Sequence, residues 1–201
     1  MTLWNENIED LLNQTASDAP TPGGGSVAGL TAAFGLGLVI MALEISRPKK
    51  NADVVGIDAL LLEARERLTV LKTHADRDVA AFERYMEALK LPKGSEERKV
   101  AVKEATRNAA LTPLAAARDV VQALNIAERA VPLAHSSIIS DVGAGVAVLH
   151  GAGQAFLLTV DMNLKYDADL KSELGAERQQ VAEEMQHLQQ GILQEVSAQL
   201  V

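Results

Sequence analysis

A chain of 201 residues that is 48 % apolar is long enough to bury a sizeable core, but aromatics make up only 3 % of it, so Ala, Leu and Val must supply that core. Such material packs helices closely and makes a poor β-sandwich. A formal charge of −8 argues against a nucleic-acid surface, and the absence of cysteine excludes a disulfide framework, a thiolate nucleophile and a cysteine metal site.

The N-terminal stretch MTLWNENIEDLL is acidic and amphipathic. It lacks the basic and apolar regions of a secretory leader, so a cytoplasmic protein is expected. A first helix is predicted over about residues 4–16. Next comes APTPGGGSVAGL, residues 19–30, with three consecutive glycines ahead of an apolar run. Ser26 is placed to cap a helix over about residues 25–46, and free N–H groups at such a start face any bound anion. No strand precedes the loop and no Gly-Lys-Ser/Thr ending follows it, which excludes a P-loop and a Rossmann turn. A backbone bare enough to approach a flat ligand remains.

Two stretches, residues 26–43 and 142–160, carry no charge. Both are near the lower length limit for a membrane span, yet their Gly and Ala content keeps their apolar weight low. Buried core helices are therefore expected, with no membrane partner. Gly25, Gly29, Ala33 and Gly37 recur every four residues, as do Gly143, Ala147, Gly151 and Ala155. Each set forms a smooth strip on one helix face, suited to close packing, a subunit interface or the floor of a ligand slot. Arg47-Pro48-Lys49-Lys50 closes the second helix as a cationic C-terminus or as a contact for an anionic ligand tail.

A third helix, over about residues 53–90, carries a seam of Leu61, Ala64, Leu68, Leu71, Ala75, Asp78, Phe82, Tyr85 and Leu89. Asp78 alone in this seam is charged. A carboxylate on a core stripe is costly unless it is paired or functional, so Asp78 stands out, whereas Asp76 falls off the seam and reads as solvated. His74 and Asp78 have the spacing of two metal ligands, but His135, His150 and His187 bring no companion, and no metal site is expected. Further helices are predicted over about residues 95–126, kinked or split by Pro113, then 133–164 and 168–199. Ser140 and Asp141 read as a cap and a first-turn acid, or as a second acid lining a slot. The whole is an all-α bundle of about six helices in a single domain over residues 1–201.

Five stretches carry a resemblance: PTPGGGSVA (20–28), ADRDVAAF (75–82), YMEALKLPKGSEERK (85–99), TPLAAA (112–117) and ISDVGAGVAVL (139–149). In order and spacing they resemble the cyclodeaminase family. It comprises the C-terminal half of formiminotransferase-cyclodeaminase and stand-alone methenyltetrahydrofolate cyclohydrolases. The resemblance implies a helical homodimer or higher oligomer with a folate cleft near a subunit interface. It also implies chemistry on C–N bonds of tetrahydrofolate without a metal or redox cofactor. Asp78 and Asp141 are then the expected proton-transfer groups, with Asp76 in reserve. Pro22, Gly23, Gly24, Gly25, Ser26 and Ser140 are expected at the substrate, and Lys49, Lys50 and Lys93 at its glutamate tail. Two positions depart from the family pattern: His135 and Thr159 stand where its members carry Asn. His135 is a candidate substitute acid or base. The departures also motivate an alternative, a non-catalytic folate-binding or assembly protein of the same fold.

Overall fold

The computed structural model describes residues 2–165 and 167–200. A 3-10 turn at Leu3–Asn5 leads into six α-helices: α1 (Ile8–Thr15), α2 (Gly24–Ser46), α3 (Val54–Lys90), α4 (Glu96–Ala130), α5 (Ile139–Leu164) and α6 (Ala168–Gln199). The all-α reading holds. The predicted first helix is broken at Glu6–Asn7, because the Asn7 side chain accepts the Glu9 N–H and starts a new helix there. Asp53, Ser95 and Asp167 cap α3, α4 and α6 in the same way. α3 stops before Pro92, as a residue preceding proline leaves the helical region.

α2 and α5 form the centre, with α3, α4 and α6 packed around them on one continuous apolar core. α2 and α5 are long and apolar enough to cross a membrane, but 61 % and 50 % of their most apolar windows lie buried within the bundle. They run antiparallel: Gly35 meets Gly145, while Gly25 and Ala155 share one cavity. A Cβ on Gly145 would stand 2.6 Å from the Gly35 carbonyl oxygen, so this pair, which lies outside both predicted strips, sets the close approach. The strips divide their work. Gly29 abuts the α3 backbone at Ala75 and Gly143 abuts Val196 of α6, while Gly37 and Gly151 meet nothing within 4 Å.

Pro113 does not split α4, which runs unbroken from Glu96 to Ala130. Proline supplies no N–H to the carbonyl four residues back, here that of Ala109. The Asn163 side chain on α5 donates to that carbonyl instead, at 2.9 Å. The proline's defect is therefore satisfied from the neighbouring helix.

Candidate active site

α2 begins at Gly24, opposite Asp78, while α3 continues for about three further turns. The seam on α3 changes character there. Leu61, Ala64, Leu71 and Ala75 are buried, whereas Asp78, Phe82, Tyr85 and Leu89 are only partly covered because α2 has ended. The gap is a cavity of about 460 Å³. Pro20, Thr21 and Gly23–Gly25 bound it on one side, and Phe82, Tyr85, Leu158 and Met162 supply most of its apolar wall. Its size falls within the range of small-molecule sites.

Among the described residues, Asp78 is the only ionisable carboxylate lining this cavity. The fully buried Ser26 hydroxyl donates to Asp78 Oδ2 at 2.8 Å, and the Ser26 backbone N–H donates to the carboxylate as well. Burial pushes the Asp78 carboxyl above its ordinary value, and this outweighs the two Ser26 hydrogen bonds that pull it down. A carboxyl shifted in this direction is suited to exchange protons nearer neutral pH.

The glycines now have separate roles. A Cβ on Gly25 would overlap the Asp78 carboxylate, so Gly25 makes room for the acid. A Cβ on Gly24 would meet no protein atom within 4 Å, so this backbone is bare toward the cavity. Ser26 does not cap α2. The helix starts two residues earlier with Gly23 as N-cap, and the Ser26 side chain serves Asp78 instead. Pro22 belongs to the same loop but is not part of the lining.

Several expected residues lie elsewhere. Asp76 accepts from the Thr2 hydroxyl at 2.5 Å and the Leu3 N–H at 2.8 Å, so it anchors the N-terminal turn. Asp141 and Ser140 occupy the first turn of α5, separated from Thr159 in the cavity wall by about 27 Å of helix rise. His135 is at their end of the molecule: its N–H donates to Ser46 Oγ at 2.7 Å and its Nδ1 caps the turn at Ser137. Lys49 and Lys50 follow the C-terminus of α2, far from the glycine loop. Lys93 sits exposed in the α3–α4 turn, outside the lining. One chain thus brings together Asp78, Ser26, the glycines and Thr159, and leaves Asp141, Ser140 and His135 at the opposite end of α2.

His74 is no partner for Asp78. It is buried toward α4, where Nε2 pairs with Asp119 at 2.8 Å. Among the described residues no group of three His, Asp or Glu side chains is arranged around a metal position. Sequence reasoning missed Asn163. Its Nδ2 is committed to the carbonyls of Ala109 and Thr159, both at 2.9 Å, which fixes an amide in the cavity wall. The available signal was Pro113, whose missing N–H obliges some donor to come to Ala109.

The sequence matches the profile of formiminotransferase-cyclodeaminase over residues 7–194. The chain belongs to this family. It is 34 % identical to the methenyltetrahydrofolate cyclohydrolase of Methylorubrum extorquens, an alignment covering 96 % of this chain and 92 % of that protein. It is 32 % identical over 130 residues to the formimidoyltransferase-cyclodeaminase of Sus scrofa, covering 59 % of this chain and 23 % of that longer one. The fold matches the crystal structure of formiminotetrahydrofolate cyclodeaminase from Thermotoga maritima with a TM-score of 0.81, over 98 % of this chain and 96 % of the other, at 23 % identity. In this chain the glycine loop and Asp78 on α3 are the pair that builds the cavity floor.

Proposed function

We propose that this family member acts on tetrahydrofolate one-carbon units, hydrolysing 5,10-methenyltetrahydrofolate to 10-formyltetrahydrofolate. The observation that carries this reading is Asp78, a carboxyl held by Ser26 on the floor of a mostly apolar cavity. The methenyl bridge is a planar cation, and a carboxylate beside it stabilises that charge in a site of low dielectric. The cation in turn favours ionised Asp78, which readies it as a base. Asp78 accepts a proton from water as the water oxygen bonds to the bridge carbon. That proton then goes to N5 as the C–N5 bond breaks, and the adduct's hydroxyl proton leaves to solvent as the formyl C=O forms on N10. The bare Gly24 backbone lets the flat ring lie against the start of α2.

The near full-length likeness to a cyclohydrolase favours this direction. A second reading uses the same cavity: closure of 5-formiminotetrahydrofolate to the methenyl compound with release of ammonia, the chemistry suggested by the cyclodeaminase relatives. The bridge's near-ultraviolet absorbance distinguishes them. Accelerated loss of the band from 5,10-methenyltetrahydrofolate is expected. Appearance of the band from the formimino compound without that loss establishes the second reading. Tight folate binding with neither change would make the protein a non-catalytic binder.

The working form we propose is a cytoplasmic homodimer. The outer faces of α2 and α5 stay apolar: Phe34 is 60 % exposed, Leu158 67 %, and Met41 and Ile45 also reach the surface. No residue of α1 is buried within its own chain. A two-fold axis across the middle of α2 sets the glycine end of one protomer against the Asp141 end of its partner. The partner subunit's Asp141 then supplies the second carboxyl that one chain's cavity lacks.

A further inference from the structure

Two features flanking α2 take no part in the cavity. The first is α1, a helix of eight residues of which none is buried. The Asn7 cap and the first-turn acids Glu9 and Asp10 favour it, but an isolated helix this short is marginal in water and needs a packing partner. Ile8 and Leu12, four residues apart on one face, are 76 % and 63 % exposed, so their own chain leaves that face uncovered. The second feature follows α2. Lys49 and Lys50 stand exposed in the turn to α3, between Ile45 on one side and Val54 and Val55 on the other, all three of which also reach the surface.

The two patches are complementary: one is apolar and acidic, the other apolar and basic. Glu9, Asp10, Lys49 and Lys50 make no ion pair among the described residues. Within one chain the patches stand apart. The segment carrying α1 is tethered to the Gly24 half of α2. Before α1, the Trp4 ring packs against Phe34 at the middle of α2, and its indole N–H donates to the Lys72 carbonyl at 2.7 Å. After α1, Pro20 and Thr21 line the Asp78 cavity, and the five residues from Ala16 to Pro20 span at most about 17 Å. Lys49 and Lys50 lie beyond the other end of α2, whose 23 residues rise about 34 Å.

In the proposed two-fold dimer, on which this inference rests, the start of one α2 lies against the end of the other. We propose that α1 is an arm that docks on a second copy of this chain. Its Ile8 and Leu12 pack on the partner subunit's Ile45 and the partner subunit's Val54, while Glu9 and Asp10 face the partner subunit's Lys49 and the partner subunit's Lys50. The contact occurs twice, once for each arm. The arm continues the exposed apolar face of α2 at Phe34, where Trp4 is already seated.

The test is an exchange of charge. The variants E9K/D10K and K49E/K50E each set like charges against one another at both contacts of a homodimer. A mixed dimer of the two keeps the native pairing at one contact and has opposite charges, reversed, at the other. Exposed ion pairs turned repulsive at two contacts predict a dimer Kd raised about tenfold in each variant alone, measured by sedimentation equilibrium beside the wild type. Native mass spectrometry of the two variants refolded together should show mixed dimers well above the half that random pairing gives. All four substituted residues are exposed, so both variants are expected to fold. A wild-type Kd in both variants, or a mixture in which no more than half of the dimers are mixed, overturns the arm and leaves the dimer standing. A monomeric wild type overturns the dimer, and the arm with it.

Discussion

At the scale of single residues the site is built around one unfavourable choice, a carboxyl placed on a core seam. Desolvation of Asp78 raises its pKa, while the Ser26 hydroxyl and N–H lower it. Removing the hydroxyl takes away one lowering contribution, so the pKa of Asp78 rises. A base works only when ionised, so the acid limb of the kcat/KM profile moves to higher pH in Ser26→Ala. The pH profile of this variant beside the wild type checks it, and an unmoved or lowered acid limb contradicts the role given to Asp78. Asp78 was legible because a charge interrupts an apolar period of three and four residues. Its partner was not, because Ser26 also fits the pattern of a helix cap, and only the α2–α3 packing decides between the roles. Asn163 was illegible for a related reason: its partner, Ala109, is defined by a proline on another helix.

At the scale of helices, α3 outlasting α2 creates the cavity, and the proline in α4 furnishes its wall. Pro113→Ala restores an N–H able to bond the Ala109 carbonyl, in competition with Asn163. The variant should fold, since an interior proline costs a helix about 3 kcal/mol relative to alanine. Its KM for the folate substrate should rise severalfold because the Asn163 amide loses its main anchor outside α5. Thermal melting and steady-state kinetics measured together check this: an unchanged KM would show that Asn163 holds its place without Ala109. The helix boundaries of α2, α3 and α6 were readable from caps, breakers and periodicity to within a residue. The partners of the small-residue strips were not. Spacing of four marks a smooth face but not which helix lies on it, and the closest approach falls at Gly35 and Gly145 instead.

At the scale of the molecule, Asp78 and Asp141 lie at opposite ends of one bundle, while the apolar faces of α2 and α5 between those ends are exposed. Sequence order could not show this separation, because nothing in the spacing of Asp78 and Asp141 tells which end of a helix pair they reach. In the proposed two-fold dimer each site would take Asp78 from one protomer and Asp141 from the other. The decisive measurement is the rate of loss of the methenyl band with Asp78→Asn, Asp141→Asn and a mixture of the two, unfolded and refolded together. Each variant alone should lose about 10²–10⁴-fold in turnover, the range for a proton-transfer group. Random pairing makes half of the dimers mixed, each with one intact site, so the mixture should recover roughly a quarter of the wild-type rate. Full activity of Asp78→Asn would contradict the assignment of the cavity as the active site, and a mixture as inactive as its components would contradict the shared site.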